Sequence, residues 1–237
     1  MTYGRSKIIA ALIAFSCSGL ATGHAAGKKA SRQEGQYRIY SEGREIGVEK
    51  YVLLTSADAV TSSSTLEFRN PGEGHQKVTL QTKLEMDRQY MPRSYELKSQ
   101  VDGQTGSIRG AFAPNQVIFE YSGNGASFRN GLLVGDRYTI LDTNIFHHFI
   151  FLARLFRYDS KGTPQNFEVV IPQDKDTGTL KITELDKETI VVRGKKISTT
   201  HLLVDSGSLQ IQLWVDGDRI PRRIAVPDKG IEVLYSG

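Results

Sequence analysis

From Thr143 to Tyr158 the chain reads TNIFHHFIFLARLFRY, a segment that is apolar almost all the way round a helix. At helical pitch Ile145, Phe146, Phe149, Leu152, Ala153 and Phe156 share one broad face. Phe151, Leu155 and Tyr158 fall partly outside it, and only His147 and Arg154 mark a distinctly polar side. A helix of this kind must be buried on more than one side. Nearly everything around it alternates with the period of β-structure, so the enclosing partner is expected to be a curved sheet. The expected fold is therefore mainly β: a strongly curved antiparallel sheet, an incomplete barrel, with one apolar helix (143–158) packed in its concave face.

The strand pattern is plain. Val78, Leu80, Thr82, Leu84 and Met86 alternate with polar partners, as do Leu209, Ile211, Leu213 and Val215. Such strands keep one face on a core and one in water. Asp102-Gly103 and Asn124-Gly125 sit between apolar runs and are hairpin signals, because both residues tolerate positive φ. Close-spaced turns between alternating strands predict an antiparallel meander of roughly a dozen strands. Asp142 or Thr143 is the expected N-cap of the helix. Asp159 to Gly162 ends it, and Pro164 prevents a restart.

The N-terminal residues are identified as an export signal, 1–25. Arg5 and Lys7 form a basic region, Ile8 to Phe15 an apolar one too short to span a bilayer, and Gly23-His24-Ala25 a small-residue cleavage site. Residues 26–35 (AGKKASRQEG) are polar and are expected to be a disordered leader, followed by a single domain over 36–237. Cys17 is the only cysteine. It lies inside the signal, where acylation is the less favoured alternative to plain cleavage. An exported chain without other cysteines has no disulfide, thiolate nucleophile or cysteine metal site. The net charge of +4 falls to +2 once Arg5 and Lys7 leave, since residues 1–25 hold no acid. The remaining charge is well mixed, which argues against a nucleic-acid partner.

Motifs for chemistry are missing. There is no HExxH and no GxSxG, and Gly123-Asn124-Gly125 reads as a turn rather than a phosphate loop. His147 and His148 are adjacent and point about 100° apart on a helix, so they do not chelate one ion together. A Ser/His/Asp set from distant residues, such as His201 with Asp205, has no support in the spacing. No catalytic residue, metal ligand or cofactor is assigned.

Several stretches together carry a resemblance. They are Gly43-x-x-Ile46-Gly47-x-Glu49, Leu141-Asp142-Thr143-Asn144 leading into the apolar helix, Phe167 to Pro172, QIQLWV over 210–215, and Asp218-Arg219-Ile220-Pro221-Arg222-Arg223-Ile224. The chain resembles uncharacterised exported bacterial proteins of the domain-of-unknown-function type. These are similar in architecture to the Lol-type periplasmic lipoprotein carriers, whose incomplete barrels hold apolar ligands. The chain departs from the carriers in having one helix rather than several. The resemblance transfers no catalytic residue.

The expected function is that of a periplasmic or secreted protein that binds or carries an apolar small molecule or lipid between helix and sheet. It would be peripheral to the membrane at most and would meet an envelope protein partner. Phe146, Phe149, Leu152, Phe156 and Trp214 are the candidate ligand contacts. The Trp214 ring, opposite Leu213 and Val215 on its strand, reads equally as a cover for neighbouring surface. Two alternatives stay open: an enzyme built from scattered groups such as His147 and Arg154, and an envelope scaffold or outer-membrane barrel.

Overall fold

The computed structural model describes residues 30–70, 76–158 and 161–237. The segment assigned to the signal, with Cys17 and Ala25, lies outside them, as do His75, Asp159 and Ser160. Among the described residues, fifteen strands form one sheet. In chain order they are β1 (Ser31–Ser41), β2 (Arg44–Thr55), β3 (Ala59–Arg69), β4 (Lys77–Asp87), β5 (Pro92–Val101), β6 (Gln104–Ala113), β7 (Gln116–Gly123) and β8 (Ala126–Leu133). After these come β9 (Tyr138–Ile140), β10 (Gln165–Ile171), β11 (Asp176–Val192), β12 (Lys195–Asp205), β13 (Gln210–Val215), β14 (Pro221–Val226) and β15 (Ile231–Tyr235). The spatial order runs from β8 down to β1, then β15 down to β9. The first and last strands thus meet in the middle, with Tyr37 opposite Tyr235. The sheet is large, curved and unclosed.

The alternation reads through directly. β4 buries Leu80, Thr82, Leu84 and Met86, and β2 buries Glu49, Tyr51 and Leu53. Hairpin turns fall at Asp102-Gly103 (φ 47° and 89°) and Asn124-Gly125 (φ 51° and 76°), the paired positive φ values that match strand twist. Gly47 has a different task. A Cβ there would fall on the Phe68 side chain and the Glu67 carbonyl, so only glycine lets β2 approach β3 so closely.

The expected fold class holds, two expectations need correction, and one strand pair is an exception to the antiparallel order. Residues 31–35 are not a disordered leader. They open β1, with Ser31 opposite Thr55 and Gly35 opposite Tyr51, because β2 runs alongside and pairs with this stretch. The sheet is antiparallel with one exception. β9 and β10 run parallel, since the helical segment between them carries the chain back to the same end. The helix is shorter than 143–158. A 3₁₀ turn, Phe146–His148, leads into α1, Phe149–Leu155, and extended backbone follows at Phe156.

The helical segment fills the concavity. Ile150, Phe151, Leu152 and Ala153 have no exposure, and Phe156 has almost none. Around it the large buried side chains include several tyrosines, two of which reach backbone carbonyls. Tyr37 donates to the Pro221 carbonyl (3.0 Å) and Tyr121 to that of Pro172 (2.7 Å). Each of these two rings adds apolar area while its polar end is satisfied. The two edges of the sheet differ. β9 is buried throughout, whereas β8 leaves Phe128 half-exposed and Leu133 largely exposed.

Candidate functional site

At one end of the sheet lies a hollow of about 610 Å³. Its sheet wall includes Ile39, Leu66, Phe68, Ile211, Ile224 and Ile231. Its other wall is the run from Leu141 to Phe146 together with Phe149. Ile171 and Leu180 add to a lining that is mainly apolar, with a polar minority that includes Asp142, Asn144, Asp174 and Lys229. Size and lining are those of a small-molecule or single-chain site.

The sequence-derived contacts separate here. Phe146 and Phe149 line the hollow; Leu152 and Phe156 are core residues beneath it. Trp214 is elsewhere. Strand alternation puts it on the outer face of β13, opposite Leu213 and Val215, which point inward. There its Nε1–H donates to Glu188 Oε2 (2.9 Å), the His201 ring stacks on it (centroids 4.4 Å apart), and Arg223 covers it at 4.4 Å. That indole bond, and the His201 bond after it, hold the Glu188 carboxyl below its usual range. Trp214 covers a polar ladder and is not a wall of the hollow. His201 and Asp205 do not act together either: Asp205 accepts from the Gly207 N–H at 2.8 Å.

What holds the inner wall is a buried polar network that sequence pattern alone left unseen. Glu49 Oε2 accepts the N–H groups of Phe146 and His147, both at 3.0 Å, and Oε1 accepts from His147 Nδ1–H at 2.6 Å. The cap of this helix start is therefore Glu49 from β2, not Asp142 or Thr143. An anion suits that place, because the first amides of a helix lack internal partners. His147 Nε2 lies 2.6 Å from Ser62 Oγ, and in the neutral ring it accepts from that hydroxyl. Tyr51 stacks on the same imidazole.

Glu49, His147 and Ser62 follow the bonding order of orienting acid, base and hydroxyl in acyl-transfer enzymes. All three have 0% exposure, and none lines the hollow. In this arrangement the set anchors the helical segment to β2 and β3. Arg154, the other candidate of the enzymatic alternative, stands apart from it and donates to Gln33 Oε1 at 2.6 Å. The signal for Glu49 was its register: it is the one acid on the inward row that continues to Tyr51 and Leu53. Ser62 sits in TSSST, where nothing distinguishes one serine from the next.

A second set adjoins the first. Asp142 Oδ1 accepts from the Thr143 and Gln173 amides, both at 2.9 Å, and Tyr95 OH donates to Oδ2. The Asp142 N–H donates to His148 Nδ1 at 3.2 Å. Burial pushes the Asp142 carboxyl up to about 6, against the opposing pull of its three donors. Burial also holds His148 well below its ordinary range, with His147 next in effect. Tyr95 is raised by burial first and by Asp142 second. Among the described residues no three His, Cys, Asp or Glu side chains stand together as a metal site.

By sequence the chain matches no protein-family model and no curated protein. Its fold is shared with solved structures. One is a β-barrel-like protein of domain of unknown function DUF1849 from Brucella abortus, with TM-score 0.56 and 11% identity, covering 86% of this chain and 94% of that one. Another is a DUF1089 family protein from Pseudomonas aeruginosa, with TM-score 0.50 and 13% identity, covering 76% and 90%. The fold is β-barrel-like. At such identities the likeness extends to architecture alone.

Proposed function

We propose that the protein binds an apolar chain, a lipid or acyl group, in the hollow between the helical segment and the sheet, and that it does so as an exported carrier of the periplasm. The observation behind this reading is the hollow itself, some 610 Å³ lined mainly by Ile, Leu and Phe side chains. Each methylene taken from water contributes about 0.8 kcal/mol. A chain of about ten would gain about 8 kcal/mol, from which the costs of association and of ordering the chain are subtracted. Export rests on the basic and apolar regions of residues 1–25. The Lol-like reading adds a partner in the envelope that gives or takes the ligand.

Native mass spectrometry on protein released gently from the periplasm tests this. The expected spectrum carries adducts with the mass of a lipid or fatty acid, lost on organic extraction. A bare mass in every preparation, with no uptake of added fatty acid, would overturn the proposal. Recovery in the outer-membrane fraction after carbonate washing would favour the barrel alternative.

A further inference from the structure

β8 is one end of the sheet, and among the described residues no strand pairs with its outer edge. The opposite edge is protected, since β9 has three residues and all are buried. β8 has eight residues and none is buried. It holds no proline and no acid, its one charge is Arg129, and no bulge interrupts its pairing with β7. Sheet edges are ordinarily blunted by those devices or by a cover. Exposed apolar side chains gather here as well: Phe128, Leu133 and, on β7, Ile118. The hairpin fixes which backbone groups are free. Its two-residue turn, Asn124-Gly125, makes Gly123 and Ala126 a hydrogen-bonded pair. Such pairs alternate along an antiparallel ladder, so Phe128, Asn130 and Leu132 also bond β7, and Val134 continues the row with its N–H on the Asn115 carbonyl (3.1 Å). Ser127, Arg129, Gly131 and Leu133 therefore aim their N–H and C=O groups away from the sheet. Phe128 stacks on Tyr121 at 4.8 Å and Leu132 packs against the core, so the row from Phe128 to Leu132 faces the concave side.

We infer that β8 is a dimer edge, which pairs antiparallel with β8 of a second copy about a two-fold axis at Asn130. The strand is complementary to itself in that register and in no other of its length. Outward-bonding residues must face one another, so the axis passes at a residue and not between two. Within the strand, only the axes at Arg129 and Asn130 match seven residues, a run of about 23 Å. With the axis at Arg129, two guanidinium groups stand directly opposite, which is unfavourable. With the axis at Asn130, Arg129 meets Gly131, Phe128 meets Leu132 and Ser127 meets Leu133. Each charge then faces a residue without a side chain, and two apolar pairs lie on the concave side. Glu120, beside Arg129 on β7, stands 3.8 Å from the guanidinium and offsets its charge. The contact is isologous, with main-chain bonds giving affinity and the side-chain pairs fixing the register. The pairing does not depend on what fills the hollow.

Sedimentation velocity of the purified protein from about 1 to about 300 µM should show the mass doubling as concentration rises, the behaviour of a small interface. Gly131→Pro removes one outward N–H and none that bonds β7. It should weaken dimerisation at least about tenfold and leave the unfolding temperature of the dilute protein unchanged. Thiol cross-linking reads the register, and it serves also if Gly131→Pro does not fold. Cys17→Ser removes the one native cysteine. In that background Asn130→Cys sets two thiols at the axis, where the Cα atoms of a non-hydrogen-bonded pair are about 4.5 Å apart, within disulfide reach. Ser127→Cys sets them about 20 Å apart and should stay uncoupled under the same mild oxidation. A protein that is monomeric throughout, a dimer that survives Gly131→Pro unchanged, or Ser127→Cys coupling as fast as Asn130→Cys would overturn the paired edge.

Discussion

Replacing Glu49 with alanine is expected to remove about 3–5 kcal/mol of stability, read as a large fall in the urea midpoint. One carboxylate makes three buried bonds, two to the amides that start the helical segment and one to His147 Nδ1. Alanine leaves all three donors, on the buried residues Phe146 and His147, without partners. That is about a fifth or more of the stability of an ordinary domain. Glu49→Gln should cost less, because its amide oxygen still accepts from the backbone. Ser62→Ala, which strips one partner from His147, should cost about 1–3 kcal/mol. This order, with alanine at 49 worst and Ser62→Ala mildest, distinguishes an anchor from a catalytic set. Equal and small effects at both positions would mean that the network does not hold the helix.

The second large effect is expected at Phe151, where alanine should cost about 3–5 kcal/mol. The ring has no exposure and sits among Tyr90, His147 and His148, with centroids 6.0, 6.0 and 5.8 Å away. Its loss leaves a void between the helical segment and the sheet, and two of its three ring neighbours belong to the buried networks and cannot move to fill it. Phe128 on the β8 edge is the control. Half exposed and stacked on Tyr121 at 4.8 Å, it should cost about 1 kcal/mol or less when truncated. Thermal or urea unfolding of the two variants side by side gives the comparison.

These residues also mark how far the sequence could be read. The strands of residues 78–86 and 209–215 appear as β4 and β13, because alternation records burial directly. The segment rich in phenylalanine is enclosed for the reason its composition implies. The polar opening of β1 escaped because pairing, not hydrophobicity, makes Ser31 to Gly35 a strand. The N-cap was misplaced because capping here is not local. Glu49 lies 97 residues before Phe146, and a rule based on neighbours looks only to Asp142 and Thr143. Asp142 instead takes the amide of Gln173, 31 residues on. Among the five expected contacts, helical pitch grouped Phe146 and Phe149 with Leu152 and Phe156 on one face. Pitch alone does not separate the turn that meets the hollow from the turns sealed beneath it. Trp214 shows the converse: its strand phase was legible, and phase alone places it outside.

If the hollow is a binding site, Ile211→Trp should block it. Ile211 is only partly buried and lines the hollow from β13, so an indole there would fill space without replacing a sealed core residue. The measurement is titration with a fluorescent fatty acid, on wild type and on a variant shown to unfold at nearly the same temperature. Wild type should bind saturably, and the variant at least about tenfold more weakly, a difference of about 1.4 kcal/mol or more. Equal affinity in the two proteins, or no saturable binding by wild type, would contradict binding in the hollow.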